Sequence, residues 1–209
     1  MRITLDTKCR LCRTEGMKLF LKGTRCTSAK CPLETKGAVR PGMHGVKRAP
    51  KVTDYGLQLR AKQKAKRIYG VMETQFKNYY LQSKKIKGLV GENLLSLLER
   101  RLDNVIYLAG FSLSRLHAKQ LISHRHIKIN GKILNIASYS VRVGDLIELD
   151  QKTTDRLKDT LRLNDKDFKT SSWLDLNKTN YSVKISSLPS IDEIQTGVDI
   201  NLIIEYYSR

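Results

Sequence analysis

The sequence predicts an α+β chain, and three observations carry that expectation. All four cysteines fall near the N-terminus as Cys9-x2-Cys12-x13-Cys26-x4-Cys31, the spacing of a metal-stapled extension. Apolar residues at helical spacing follow from about residue 54 to about 123, the mark of a mainly helical body. Short β-leaning runs then alternate with the turn dipeptides Asn130-Gly131 and Gly144-Asp145, which predicts a helix-turn-helix joined to a small antiparallel sheet.

Two close cysteine pairs across a short loop place four thiolates at the corners of a tetrahedron. That is the ligand set of a structural zinc knuckle, one Zn2+ per chain. The same thiolates would serve an iron–sulfur cluster, the less favoured occupant. Two disulfides are the other alternative. Met1-Arg2-Ile3-Thr4-Leu5-Asp6 begins no apolar leader, however, and a reducing cytosol favours thiolate ligation. Four protein ligands close the site, so no catalysis is expected there. Arg10, Arg13, Lys18, Lys22, Arg25, Lys30 and Lys36 crowd the knuckle and would present cations outward.

The 209 residues leave room for one or two domains. The formal net charge is +19 and the pI about 9.9. Residues 1–91 hold 22 Lys and Arg against 5 Asp and Glu, residues 92–150 hold 8 against 6, and residues 151–209 hold 9 against 9. Such concentrated self-repulsion calls for a polyanion, nucleic acid first and anionic lipid second. No apolar run reaches membrane length, and the basic helices carry too narrow an apolar face for deep insertion, so no membrane partner is expected. No Gly-rich phosphate loop of the nucleotide-binding type occurs, so no small-molecule substrate is expected either.

Along the chain, Arg40-Pro41-Gly42-Met43-His44-Gly45 and Val46-Lys47-Arg48-Ala49-Pro50-Lys51 read as a turning connector whose amides and cations can track phosphates. Thr53 or Asp54 caps a helix over 54–69, with Leu57, Ala61, Ala65 and Ile68 inward, basic residues over much of the rest, and Gly70 ending it. A helix over about 73–84 turns Phe76, Tyr80 and Tyr79 inward and leaves through Lys84, Lys85 and Lys87. Residues 93–102 form a leucine-striped helix through Leu94, Leu95, Leu97, Leu98 and Leu102. Ser112 or Ser114 caps a further helix to 123, with Ala118, Leu121 and Ile122 inward and Arg115 and Lys119 one turn apart on an exposed face. Residues 127–129 and 132–134 flank the Asn130-Gly131 hairpin. Residues 140–143 and 146–149 are strands. Residues 151–180 are helical and then loose, anchored by Trp173. Residues 181–185 form a strand, 188–194 a turn with a helical piece, and 201–207 a β-leaning, docked end.

Several of these motifs together resemble one family. Pro41-Gly42-Met43-His44-Gly45, Tyr55-Gly56-Leu57-Gln58-Leu59-Arg60-Ala61-Lys62-Gln63-Lys64 and Ile68-Tyr69-Gly70-Val71-Met72-Glu73-Thr74-Gln75-Phe76 are similar to the family of small-subunit ribosomal protein number four, bacterial or organellar type. So are Leu98-Glu99-Arg100-Arg101-Leu102-Asp103-Asn104-Val105-Ile106-Tyr107, the stretch from Ser114-Arg115 to Val143-Gly144-Asp145, and Ile204-Glu205-Tyr206-Tyr207-Ser208-Arg209. The four-cysteine start is similar to the zinc-binding branch. The resemblance implies a structural constituent of the small ribosomal subunit, in the cytoplasm or an organelle. It implies primary binding of 16S-type rRNA, nucleation of the 5′ domain, and a seat beside ribosomal proteins three and five, near the tunnel where mRNA enters. It also implies a zinc-binding basic extension over 1–45, a helical rRNA-binding domain over 46–91 and 175–209, and an inserted RNA-binding module over 92–174.

The candidate RNA contacts are Arg10, Arg13, Lys22, Arg40, His44, Lys47, Arg48, Lys51, Tyr55, Arg60, Lys62, Lys64, Lys66, Arg67, Lys84, Lys85, Arg115, His117, Lys119, His124, Arg125, His126 and Lys128. Lys119 stands for the commoner Arg of the family, Leu108 for Arg, Leu116 for a small residue, and Arg125 for the Gly of His-Gly-His; a positive φ at 125 would strain an arginine. An RNA-modifying enzyme is the rival class, because a similar module precedes pseudouridine synthase domains and Arg101-Leu102-Asp103 resembles their catalytic triplet. Only 59 residues follow Asp150, and Asp103 precedes the module's main helix, so Asp103 reads as a helix-end residue and no enzyme is expected. A free-standing RNA chaperone or mRNA-binding repressor would use the same surface.

Overall fold

The computed structural model describes residues 8–47, 51–157, 161–164, 168–190, 194 and 197–209. Contacts divide the chain into two units, residues 1–76 with 196–209, and residues 77–195.

In the first unit, Lys8–Glu15 is α1, Gly23–Cys26 a 3-10 turn and Pro32–Lys36 α2. The longest helix, α3, runs Asp54–Tyr69. Its start is set by Thr53, whose hydroxyl accepts the Gly56 N–H at 3.2 Å. Its stop is Gly70, left-handed at φ 60. The buried face presents Gln58, Ala61, Lys62, Ala65, Ile68 and Tyr69 and packs against α9, Ile200–Ser208. Leu57, expected inward, is 46% exposed, because the buried arc centres on Gln58, Ala65 and Tyr69. α4, Glu73–Ser83, begins in this unit with the fully buried Phe76 and runs on into the second.

The C-terminal segment is a helix where β character was expected. Asp199 caps it, accepting the Asn201 N–H at 3.0 Å. Ile200, Ile203, Ile204 and Tyr207 recur at helical spacing, and burial against α3 outranks the β-branched preference of the isoleucines.

In the second unit the expected helix over 93–102 divides into α5, Val90–Glu99, and α6, Leu102–Leu108. The break follows from Arg101, which is extended and bridges Ser140, while the Leu102 N–H donates to the Tyr139 carbonyl at 2.8 Å. α7, Arg115–Ser123, is capped by the Ser114 hydroxyl, which accepts the His117 N–H at 3.2 Å. Strands β1 Ile127–Ile129, β2 Lys132–Ile133, β3 Leu146–Leu149, β4 Leu174–Asn177 and β5 Ser182–Ile185 form one antiparallel sheet in the order β2-β1-β3-β5-β4. Asn130 and Gly131, at φ 49 and 78, make the hairpin turn. Residues 140–143 are no strand beyond the Ser140 bridge; the Val141 N–H is taken by the Arg100 carbonyl instead. α8, Gln151–Leu157, matches the helical start expected after 150.

Strand β4 was unforeseen, and with β5 it corrects the expected boundaries. Both pair onto the module's sheet through β3, so residues 174–185 belong with the module rather than with the helical domain. Leu102, Ile106, Phe111, Ile122, Ile127, Ile147, Trp173, Val183 and Ile185 form one core, and Trp173 is the anchor expected of it. The helical piece expected in 188–194 falls partly outside the described residues.

Candidate nucleic-acid interface

Cys9 and Cys12 sit one turn apart on α1, Cys26 closes the 3-10 turn and Cys31 immediately precedes α2. All four are free thiols and line one small cavity with Lys18 and Arg25. Cys12, Cys26 and Cys31 are buried. The Lys22 backbone N–H donates to the Cys26 sulfur at 3.3 Å. Burial pushes the Cys12 thiol up, and the neighbouring cysteine sulfurs push the same way. Among the described residues no group of three or more His, Cys, Asp or Glu side chains makes a ready-formed metal site. The four free thiols nevertheless line the same hollow, and sulfur donors are the kind a thiophilic ion takes.

The expected cations fall into two classes. In the first unit Arg10, Lys22, Arg40, His44, Lys47, Lys51 and Tyr55 are exposed. In the second, Lys84, Lys85, His124 and Arg125 are. Arg48 lies outside the described residues. The rest, His117 apart, are engaged within the protein. Arg13 donates to the Val39 and Arg40 carbonyls at 2.9 and 3.1 Å, tying the connector to α1. Arg60 and Arg67 on α3 converge on the carboxylate of Glu15, a side chain only 4% exposed. Lys64 donates to the Gly197 carbonyl.

Lys62 corrects the sequence expectation outright. It is buried, its ammonium lies 4.2 Å from the Tyr206 ring centroid, and it donates to Glu73 at 2.7 Å. Lys66 donates to the same carboxylate at 3.0 Å. Burial opposes the charge of Glu73, but the bonds from Lys62, Lys66 and Tyr207 outweigh it and hold the carboxyl below its usual range.

The module's helix also differs. Arg115 is half-buried rather than outward. Its Nε donates to Asn104 at 2.7 Å, and its guanidinium lies 4.5 Å from the Tyr107 ring centroid. Lys119 is half-buried, 3.5 Å from the Asp103 carboxylate, which Arg101 grips through two nitrogens at 3.1 and 2.7 Å. Burial pulls the Lys119 ammonium down, more than Asp103 raises it. Asp103 thus anchors a buried charge network in the first turn of α6. His117 is half-buried and burial lowers its pKa. His126 shares a 2.8 Å hydrogen bond with the Thr153 hydroxyl, and Lys128 pairs with Asp150 at 3.4 Å. Arg125 does take the left-handed conformation, φ 64. Exposed Lys77 and Phe20 escaped the sequence reading. For Phe20 the signal was an aromatic set between Lys18 and Lys22.

Two family profiles match the chain. One is described as the ribosomal protein S4/S9 N-terminal domain, over residues 5–99, and the other as the S4 domain, over residues 100–147. Small ribosomal subunit protein uS4 of Thermodesulfovibrio yellowstonii is 52% identical over 204 residues, 96% of each chain. The chain belongs to the uS4 family. The uS4 proteins of Caldicellulosiruptor bescii and Dictyoglomus thermophilum are each 49% identical over 96% of both chains. The S4-domain match runs from Arg100 into β3, so in this uS4 chain β5 and β4 continue the sheet beyond the matched segment. Among the described residues no helix is long and apolar enough to cross a membrane.

Proposed function

We propose that the chain is a structural constituent of the small ribosomal subunit of a bacterium or organelle, a primary binder of 16S-type rRNA and not an enzyme. The observation that carries this reading is likeness to uS4 proteins across 96% of the chain, joined to exposed cations gathered on the knuckle and connector. The exposed cations neutralise phosphates and release counterions, which supplies affinity. Shape, 2′-hydroxyls and backbone then supply selectivity, as they do for structured RNA generally. Paired cations such as Arg67 and Lys62 hold the elements that present the free ones. On this reading the protein seats on the rRNA 5′ domain, nucleates its folding, and lies beside ribosomal proteins three and five near the tunnel where mRNA enters. Tagged protein should co-sediment with small subunits through high-salt gradients; migration only with free mRNA would favour a repressor instead.

The reading includes one Zn2+ held by Cys9, Cys12, Cys26 and Cys31, supported by four free thiols around one cavity. The ion would supply a structural cross-link that holds the knuckle folded. Elemental analysis should return one zinc per chain, and Cys26→Ser should lower that content. A visible charge-transfer band with bound iron, or no bound metal, would overturn the zinc assignment.

A further inference from the structure

Phe20 has a backbone that few aromatics adopt: φ is 50, in the left-handed region. A bulky side chain there is a conformational outlier. The local geometry explains the strain. Leu19 is buried, 2% exposed. Two residues after Phe20, the Lys22 N–H must reach the Cys26 sulfur at 3.3 Å. Phe20 lies between these two anchors and is itself 44% exposed. Glycine would take this backbone conformation without strain. An exposed aromatic therefore persists where neither backbone nor core asks for one, and strained backbone of this kind gathers at functional sites. Its surroundings are cationic: Lys22 and Arg25 are exposed, and Lys18 is partly exposed beside Glu34 at 2.6 Å.

We propose that Phe20 is a stacking platform for an unpaired base of the bound RNA, with Lys22 holding the adjoining phosphate. The inference rests on the RNA-binding reading above and adds a residue and a mode of contact to it. Unstacked bases in loops and junctions are held on aromatic faces, and such stacking tolerates any base.

The test uses the full chain and a transcript of the rRNA 5′ domain. Phe20→Leu keeps apolar area but loses the π face and should weaken binding about tenfold. The slope of log affinity against log salt should not change, because no charge is removed. Phe20→Trp should bind like the parent, and its emission should be quenched by RNA; Trp173, the chain's own tryptophan, is 2% exposed and gives a steady background. Phe20→Gly should melt no lower than the parent. Equal binding by Phe20→Leu, an unquenched Phe20→Trp, or a lowered melting temperature of Phe20→Gly would each overturn the proposal. A parent chain that fails to bind the transcript would instead overturn the RNA-binding reading itself.

Discussion

Arg125 is exposed and sits at φ 64 in the turn that ends α7. Its Cβ pays a left-handed penalty of about 1–2 kcal/mol, which glycine escapes at some cost in unfolded-state entropy. Arg125→Gly should therefore stabilise the protein by roughly 0.5–1 kcal/mol in urea melts; a loss of stability would show that the guanidinium makes compensating contacts. Asp103 is the opposite case, 1% exposed and clamped by Arg101, itself 2% exposed. Asp103→Ala strands a buried guanidinium and should cost about 3–5 kcal/mol. An effect under about 1 kcal/mol would mean that water reaches Arg101. At this scale the sequence sets the four cysteines close in the chain, and they line one cavity. The pairing of Arg115 with Asn104 and of Lys119 with Asp103 was not legible, because the partners lie on a different helix and no periodicity connects them.

Elements whose ends carry local chemistry were legible. Thr53 and Gly70 bound α3 as read, and Asn130-Gly131 turned the hairpin as read. β4 was not, since Leu174–Asn177 is held by pairing with β5 rather than by any strong local alternation. α9 was misread because its isoleucines favour strand locally while α3 supplies the face they bury against. The junction of these helices centres on Glu73, which accepts from Lys62, Lys66 and the Tyr207 hydroxyl at 2.7, 3.0 and 3.0 Å. Its carboxyl is depressed in the folded protein, so its contribution is present above the unfolded pKa of about 4.3 and is lost as pH falls through the lower folded value. Glu73→Gln should cost about 1 kcal/mol or less at neutral pH, since the side chain is 44% exposed and solvent screens the pairs. It should also flatten the acid limb of stability against pH below about 4. An acid limb as steep as the parent's would assign that loss to other carboxylates.

The charge asymmetry belongs to the whole molecule, and composition alone revealed it. The division into two units was less legible, because the sheet recruits β5 and β4 after a long interval of chain. The structure also separates cations that are free from cations that are spent, which a net charge cannot do. Lys22, Arg40 and Lys47 are exposed in the first unit, and Lys169, Lys178 and Lys184 are exposed in the second. On the RNA-binding reading, the slope of log affinity against log salt counts phosphates neutralised, about 0.7–0.9 per contact. Replacing the first three by Ala in the full chain should lower that slope by roughly 2–3. Replacing the second three should leave it nearly unchanged, since residues 151–209 carry equal numbers of acidic and basic side chains and set up no net attraction. Thermal melts of both variants should match the parent, because exposed substitutions cost under about 0.5 kcal/mol. Equal slope losses in the two variants would contradict an interface concentrated on the exposed cations of the first unit.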